Sequence, residues 1–416
     1  MSMNKKLVMA ASAALVAGAW AAPVVSVTKT AQDSMTRVVT VEYTLSGEPA
    51  VVTLGAETNR GDGVWVSIGD ANIQGASGDV NRLVQTGART VTWRPDRSWP
   101  NHRISDGTFR VGVVAWATNA PPDYMAVDLQ NSGVVRYYQS ADAVPYGVTS
   151  AVYKTNQLLL RKIPAAGVEW NMGSVAKESG RGSDETIHRV MLTKDYYIGV
   201  YETTRRQYWL MTGNSPSTSP VYPGDEADQC PVETVKWVDL RSSGSVWPGS
   251  RHSVGSGSAL AHLRDIAGGG LLFDLPTEAQ WEYACRAGSG YAFNVGGDSV
   301  DDMKNAGWCQ ENSGQDESSV YYSHAVGGKA PNAWGLYDMH GNVRELCLDY
   351  HDGDYYDTDA LAEDPEGPSS ATYRVQRGGE KRLVYTYCRS AARATQGPNG
   401  SDRGTGFRIA CEALAK

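Results

Sequence analysis

The residue pattern of the sequence changes about a third of the way along the chain, and this change predicts two folded units of different kinds. Residues 24–129 contain short runs of β-branched and aromatic residues that alternate with polar ones, such as Val38–Leu45 and Phe109–Trp116. A period of two predicts strands with one buried face. Several such strands with Gly, Asp and Asn between them predict an all-β sandwich of the immunoglobulin or fibronectin kind over residues 23–129.

The second part of the chain is rich in loops and has few helices. Two helix starts have the pattern of a capping box, Thr204–Gln207 and Thr277–Gln280. Long Gly-, Ser- and Pro-rich passages separate them, so the pattern predicts an irregular α+β domain over residues 161–414. The polar stretch 130–160 is expected to be a linker. With 416 residues, the chain is long enough for two domains.

The first 22 residues have the pattern of a cleaved export signal. Lys5 and Lys6 precede an apolar run from Leu7 to Trp20, and Ala19-Trp20-Ala21 is a small-x-small cleavage pattern. This run is too short to span a bilayer comfortably, and no later segment is long and apolar enough to do so. We therefore expect residues 1–22 to be removed. The mature protein is expected to be secreted, periplasmic or at the cell surface, with no transmembrane segment.

Charge and motif content exclude several classes of function. The chain has 38 Lys and Arg against 46 Asp and Glu, which gives a formal net charge of −8. Because nucleic-acid-binding domains present a basic face, we expect no nucleic-acid partner. No glycine-rich phosphate loop follows a strand, and nothing resembles the GxSxG turn of serine hydrolases. The sequence therefore offers no signature of nucleotide binding or serine hydrolysis.

All six cysteines lie in the second part of the chain, and none forms a CxxC or CxxCH motif. This spacing gives no support for a zinc ribbon, a thioredoxin-type site or c-type haem attachment. In the oxidising compartment expected for an exported protein, disulfides are the first interpretation. Several pairings remain open among the six residues, Cys230, Cys285, Cys309, Cys347, Cys388 and Cys411.

From residue 161 onward, the chain carries a series of motifs in a fixed order. They include Asn171-Met172-Gly173-Ser174, Tyr197–Thr204, Pro231–Trp237, Leu275–Gly288 (LPTEAQWEYACRAG), Pro331–Glu345 (PNAWGLYDMHGNVRE), Arg374–Gly379 and Gly406-Phe407-Arg408. Taken together, these motifs resemble the sulfatase-modifying factor family, whose type member is the formylglycine-generating enzyme. The resemblance covers roughly residues 161–412. It implies an irregular, C-type-lectin-like α+β fold, preceded here by the all-β module.

The turn between Asp338 and Glu345 carries oxygen donors at close spacing. Two carboxylates flank a glycine-containing turn whose carbonyls can point inward, and hard oxygen ligands of this kind suit Ca²⁺. The resemblance implies the same site, with Asp338, Gly341, Val343 and Glu345 as ligands, the middle two through backbone oxygens. The structural alternative is a buried turn in which Glu345 pairs with an arginine.

The segment after Gly378-Gly379 decides what the resemblance implies about catalysis. In the type enzyme, two thiols separated by four residues bind Cu⁺ and support oxygen-dependent oxidation of a substrate cysteine. Counting forward from the glycines places Leu383 at the first thiol position and Cys388 at the second. Cys388 is therefore a catalytic candidate without its partner thiol, and since copper(I) needs both sulfurs, Cu⁺ is not expected. Counting backward from Ala391 instead places Cys388 near a family cysteine that forms a disulfide with the position of Cys285.

Two classes of function remain open. The first is an exported, non-catalytic protein that binds a protein, peptide or glycan, and its ligand groove is expected to contain Arg344, Glu380, Arg382, Tyr385 and Tyr387. The second is an enzyme on this fold, either a formylglycine-generating oxidoreductase or a divergent relative, that acts on exported proteins. The hydrocarbon side chain at position 383 favours the first class.

Overall fold

Two units of structure divide the chain. The computed structural model describes residues 22–59, 61, 63–102, 108–244, 247–248, 253–356 and 360–412. The expected export signal therefore lies outside the described residues, apart from Ala22. The first unit takes its described residues from 22–125 and 135–149, and the second takes them from 126–134 and 150–412.

The first unit consists mainly of strands, as its alternating sequence predicts. Its elements are β1 (Val24–Gln32), β2 (Val39–Ser46), β3 (Ala50–Asn59), β4 (Trp65–Ser67), β5 (Ser77–Gly78), β6 (Arg82–Val84), β7 (Gly87–Trp93), the short helix α1 (Pro95–Ser98) and β8 (Phe109–Ala117). The strand order is β1-β2-β7-β5 in one sheet and β4-β3-β6 in another, where β8 also pairs with β3. All of these pairings are antiparallel.

The core of the first unit contains residues from both sheets. In β2, Val39, Val41, Tyr43 and Leu45 are buried, and they alternate with more exposed residues. This alternation confirms the period of two in the sequence. The same four side chains belong to one buried cluster with Trp93 of β7 and with residues of β3 and β8. Burial of this apolar surface is the main favourable contribution to the stability of the unit.

The stretch 130–160 contains regular structure. Its elements are β10 (Val135–Tyr138), which follows β9 (Tyr124–Asp128), and two short 3₁₀ helices. Residues 135–149 belong to the first unit, and residues 150–160 belong to the second. Tyr137 and Tyr138 are only 2% and 8% exposed, so these rings pack within the first unit. The role of 130–160 as a linker stays a prediction.

The second unit combines short strands with five helices in its described residues. Its elements are β11 (Gln157–Ile163), β12 (Val168–Met172), β13 (His188–Leu192), β14 (Tyr196–Gly199), α2 (Arg205–Thr212), α3 (Trp237–Arg241), α4 (Ala259–Ile266), β15 (Phe273–Asp274), α5 (Glu278–Arg286), α6 (Val300–Ala306), β16 (Gly307–Trp308), β17 (His340–Gly341), β18 (Arg344–Tyr350), β19 (Ala362–Glu363), β20 (Arg374–Arg377), β21 (Arg393–Gln396), β22 (Thr405–Gly406) and β23 (Ala410–Glu412).

Helices α2 and α5 begin where the capping boxes predict. The side chain of Thr204 accepts a hydrogen bond from the backbone of Gln207, and Thr277 does the same with Gln280. Each cap satisfies backbone N–H groups that would otherwise lack a partner at the helix start. Helix α5 is central to the unit because Trp281, together with other residues of the helix, is buried in an apolar cluster that also contains residues of β11, β12, β13, β14, β18 and β20.

Sheet pairing brings distant segments of the second unit together. One sheet has the strand order β21-β20-β18-β22, and another includes β11-β14-β23-β15. In the first of these, Arg344 pairs with Thr405 and Glu345 pairs with both Gly406 and Arg377. The β16-β17 pair sets Trp308 beside Gly341. Within the part of the chain that the structure describes, no helix has the length and apolar character needed to cross a bilayer.

Candidate functional site

Four charged side chains form an ion-pair network, here called the charged cluster: Arg344, Glu380, Arg382 and Asp402. Arg382 Nε lies 3.0 Å from Glu380 Oε1. Arg344 Nη2 lies 3.7 Å from Glu380 and 3.3 Å from Asp402, and Arg382 also pairs with Asp402. The side chain of Glu380 is 1% exposed and that of Arg382 is 32% exposed. The cluster is thus anchored by a buried carboxylate and reaches solvent through an arginine.

A tight turn after β20 places Glu380 in this cluster. Gly378 and Gly379 have φ values of +89° and +68°, which glycine adopts more readily than other residues. A Cβ atom on Gly379 would lie 2.5 Å from Cys388 Sγ. The second glycine is therefore needed both for the backbone conformation and for the close approach of Cys388.

The structure separates the expected groove residues into two groups. Arg344, Glu380 and Arg382 meet in the charged cluster, whereas Tyr385 and Tyr387 lie on the 3₁₀ helix Tyr385–Cys388. Tyr387 is 58% exposed. Tyr385 packs against Phe293, with ring centroids 6.3 Å apart. Of the two tyrosines, Tyr387 is the one placed to contact a ligand from solvent.

Cys285 and Cys388, expected to form a disulfide, are separate buried thiols in the structure. Cys285 Sγ lies 3.6 Å from Ser390 Oγ and 3.7 Å from His340 Nε2, whereas Cys388 Sγ lies 4.0 Å from the carbonyl of Glu380. Ser390, two residues beyond Cys388, thus takes the place beside Cys285. Burial raises the pKa of Cys285 to about 12 and that of Cys388 well above its usual value, so both thiols stay protonated at neutral pH.

Glu345, expected to bind calcium, forms a buried ion pair with Arg408. Arg408 Nε lies 3.1 Å from both carboxylate oxygens, and its Nη2 lies 2.7 Å from Oε1. Trp281 Nε1 donates to Oε2 at 2.7 Å. This is the arrangement of the structural alternative, in which an arginine neutralises the glutamate of the turn.

Asp338, at the other end of the turn, has one carboxylate oxygen without a hydrogen-bond partner. Its Oδ2 accepts a hydrogen bond from Gly327 N at 2.6 Å, while its Oδ1 is buried and has no hydrogen-bond partner. Burial raises the pKa of Asp338 to about 6. Glu202, also buried, has its pKa raised well above the usual range by burial and then by the charges of Asp338 and Glu345. The region therefore holds more buried carboxyl groups than Arg408 alone can neutralise, and burial favours the protonated form of Glu202.

The resemblance implies two metals, calcium and copper, and the residues of this site fit the first but not the second. Asp338 Oδ1 fits a calcium ligand, since a hard cation would stabilise this unpaired buried carboxylate. In the described ranges, no three or more His, Cys, Asp and Glu side chains are grouped so as to hold a metal ion. A cation there would need backbone oxygens such as those of Gly341 and Val343. Leu383 offers no donor atom, so a copper pair at positions 383 and 388 does not fit.

Three buried charges at this site were not predicted: Glu202, Lys381 and Arg408. Glu202 follows the apolar run 198–201, and a charge beside such a run is a signal that a partner is needed. Lys381 gives no such signal because its neighbours in sequence are also charged. Its Nζ donates to the carbonyl of Arg403 at 2.8 Å, and burial lowers its pKa to about 8.

The fold and the site define the class of protein. The second unit is a mixed α/β domain in which buried ion pairs hold long loops around a central helix, and it follows a strand-rich unit. The sulfatase-modifying factor enzyme 1-like domain family matches residues 161–413. Because this match covers more than half of the chain, the protein belongs to that family, as its motifs predicted.

Two formylglycine-generating enzymes support this assignment. The chain is 36% identical over 222 residues to the formylglycine-generating enzyme of Thermomonospora curvata, a match covering 50% of this chain and 65% of that enzyme. It is 31% identical over 319 residues to the formylglycine-generating enzyme of Bos taurus, covering 67% of this chain and 81% of the relative. A solved structure, Treponema denticola variable protein 1, aligns with a TM-score of 0.48 and 27% identity, covering 64% of this chain and 97% of the other.

Proposed function

We propose that this protein is an exported, non-catalytic member of the family that binds a protein, peptide or glycan through its second unit. The observation that carries the proposal is the segment from Glu380 to Leu383. Glu380 is bound to Arg382 and Arg344. Leu383 has no sulfur at the expected first thiol position. The segment therefore lacks the thiol pair of the type enzyme and presents charged side chains for recognition.

Tyr387 and Arg382 are the groove residues that a ligand in solution would contact. Tyr387 is 58% exposed, and the side chain of Arg382 is 32% exposed. An exposed tyrosine supplies apolar contact area with a polar tip, and an arginine can bind carboxylates or hydroxyls with several donors. The buried carboxylate of Glu380 forms an ion pair with Arg382, so this guanidinium is positioned before a ligand binds. The surface suits polar peptides or glycans that carry acidic groups.

Binding can be tested on arrays of glycans and of acidic peptides. Tyr387→Ala and Arg382→Ala are each expected to weaken binding about thirtyfold or more, which corresponds to the loss of about 2 kcal/mol or more that is found at interface hot spots. Tyr373→Ala is a matched control, because Tyr373 is 51% exposed in the same unit. If both groove variants bind every ligand as tightly as the unaltered protein does, this surface is not the binding site.

The alternative proposal is a formylglycine-generating oxidoreductase or a divergent enzyme on the same fold. The 36% identity to the Thermomonospora curvata enzyme favours it. Incubation with a cysteine-containing sulfatase peptide, copper and oxygen separates the two proposals. A binding protein leaves the peptide unchanged, whereas formation of an aldehyde on the peptide cysteine would refute the non-catalytic role.

The finer features of the fold complete this proposal. We infer that the first unit is a β-sandwich of the immunoglobulin or fibronectin kind that acts as a spacer, because the buried residues of its two sheets form one cluster. The second unit is proposed to be C-type-lectin-like. Residues 1–22 are proposed to direct export to a periplasmic, secreted or cell-surface location, which sequencing of the mature amino terminus tests.

Calcium is proposed to bind at Asp338 and to stabilise the turn that ends at Glu345. A ligand present at about 100 times its Kd stabilises the folded state by about 2.7 kcal/mol, which for a domain of this size raises Tm by roughly 5–10 °C. EDTA is expected to remove this increase. Asp338→Asn should abolish the calcium response, whereas Asp301→Asn, at a side chain that is 84% exposed, should retain it. An unchanged Tm after EDTA would refute the calcium proposal.

A further inference from the structure

Two of the six buried cysteines share one small apolar cluster. Cys309 and Cys388, here called the thiol pair, are both 0% exposed and lie in this cluster with Ala292, Phe293 and Met303. Among the charges that act on Cys388, a charge on Cys309 has the largest effect in raising its pKa. The two sulfurs are thus close enough to influence each other, although they are 79 positions apart in sequence.

Backbone hydrogen bonds hold the two segments of the thiol pair side by side. Gln310 N donates to the carbonyl of Leu383 at 2.9 Å. Tyr385 N donates to the carboxylate of Glu311 at 3.2 Å. Gln310 and Glu311 directly follow Cys309, while Leu383 and Tyr385 lie five and three residues before Cys388. The segment that follows β16 is therefore fixed against the 3₁₀ helix that carries Cys388.

Cys309 is buried, but the residues that follow it in sequence are not. Its neighbours Gln310 and Glu311 are both exposed. The thiol is hydrogen-bonded to the carboxylate of Glu311, and burial together with this hydrogen bond raises the pKa of Cys309 to about 12. The thiol is therefore protonated at neutral pH, and Glu311 is placed to accept the proton that it must lose when it reacts. Cys388 lies deeper, beneath the turn at Gly379.

The other cysteines face different atoms. Cys285 Sγ approaches Ser390 and His340, and Cys230 Sγ approaches the carbonyls of Glu226 and Ser323. Cys347 Sγ and Cys411 Sγ lie near the carbonyls of Glu345 and Glu412, respectively. None of these four sulfurs belongs to the apolar cluster that Cys309 and Cys388 share.

From these contacts we propose that Cys309 and Cys388 are a redox-active dithiol, which exchanges with an external disulfide and closes to an intramolecular disulfide. Cys309 loses its proton to Glu311 and attacks a disulfide RSSR, which gives a mixed disulfide and releases RS⁻. Cys388 then loses its proton and attacks Cys309 Sγ, which releases a second RS⁻. The two protons end on the released thiols, so one disulfide is reduced to 2 RSH while the protein is oxidised by two electrons.

The dithiol does not depend on the proposed ligand groove, but its disulfide would restrict the motion of part of that groove. A Cys309–Cys388 disulfide would join the segment after β16 to the helix that carries Tyr385 and Tyr387. The exposed side chain of Tyr387 would then stand on a covalently fixed segment. In an oxidising compartment, the equilibrium favours the closed form.

The test is equilibration of the full chain with oxidised and reduced glutathione at several ratios. Thiols are then blocked with an alkylating reagent under denaturing conditions, and the cysteines are mapped by mass spectrometry. Oxidising ratios are expected to remove two of the six alkylation sites and to yield one cross-linked peptide pair that contains Cys309 and Cys388. In Cys388→Ser, Cys309 should instead accumulate bound glutathione, because the second attack is lost.

Two further variants keep the test independent of folding defects. Glu311→Gln leaves both thiols in place and is expected to slow the exchange about tenfold or more, because the proton acceptor is lost. Cys347→Ser removes a buried thiol elsewhere in the same unit and should leave the cross-link unchanged. Six alkylated cysteines under oxidising conditions, or a cross-link that includes Cys285, would overturn the proposal.

Discussion

Replacing Arg408 with methionine tests the central electrostatic interaction of the second unit. The Arg408 guanidinium contacts both carboxylate oxygens of Glu345 at 2.7 to 3.1 Å. It also donates to the carbonyls of Gly199 and Tyr337, each at 2.8 Å. Methionine fills similar space without charge or donors. The variant therefore removes the cation while it keeps most of the packing volume.

The loss should be large because Glu345 would remain buried with one hydrogen bond, from Trp281 Nε1. The charges of Asp338 and Glu345 both raise the pKa of Glu202, so like charges already oppose one another here. Removing one partner of a buried ion pair typically destabilises a protein by about 3–5 kcal/mol. Two lost hydrogen bonds to backbone carbonyls place Arg408→Met at the upper end of this range.

Urea unfolding of the full chain, followed by circular dichroism and tryptophan fluorescence, measures this loss in the transition of the second unit. Arg189→Met is the matched control, because Arg189 pairs with Glu169 on the surface, where the two side chains are 54% and 50% exposed. That variant should lose less than about 1 kcal/mol. If Arg408→Met is no less stable than Arg189→Met, the buried ion pair does not organise this domain.

Two further predictions concern buried positions of the second unit. Burial lowers the pKa of Lys381 from 10.5 to about 8, so the unfolded state binds this proton more tightly. Stability should therefore rise by about 3 kcal/mol as pH increases through the window between these two values. Urea midpoints across this window should lose that rise in Lys381→Met, and an identical pH dependence in both proteins would contradict the assignment. Gly341 has φ +80°, and a Cβ there would lie 1.9 Å from the Trp308 carbonyl oxygen. Gly341→Ala should therefore be insoluble, or its free energy of unfolding should fall by more than about 3 kcal/mol. Gly288→Ala, at φ +87° with open space, should lose only about 1 kcal/mol in the same measurement.

Features that depend on neighbouring residues could be predicted from the sequence. The alternation over Val38–Leu45 reproduces the burial of β2. The two capping boxes mark the first residues of α2 and α5. The ordered motifs from residue 161 onward identified the family, and the same motifs placed Asp338 and Glu345 at one turn. The alternation and the capping boxes depend on spacing within about ten residues, which fixes backbone periodicity and hydrogen bonding at a helix start. The family depends on the order of the motifs along the chain.

Partners that are far apart in sequence could not be predicted in this way. Glu345 binds Arg408, 63 positions away, and Ser390 rather than Cys388 faces Cys285. Asn342 donates to Glu202 across 140 positions, and Cys309 joins Cys388 in one cluster. These contacts arise when sheets and loops close around α5, so no local pattern records them.

The sequence by itself thus determined the family, the strand-rich first unit and the identity of the residues around the glycine turn at 378–379. Tertiary structure alone decided which carboxylates are neutralised, which tyrosine is exposed and which thiols are neighbours. The physical reason is that burial and pairing depend on three-dimensional proximity. A charged or sulfur-containing side chain acquires its protonation state and its partners only when the chain has packed around it.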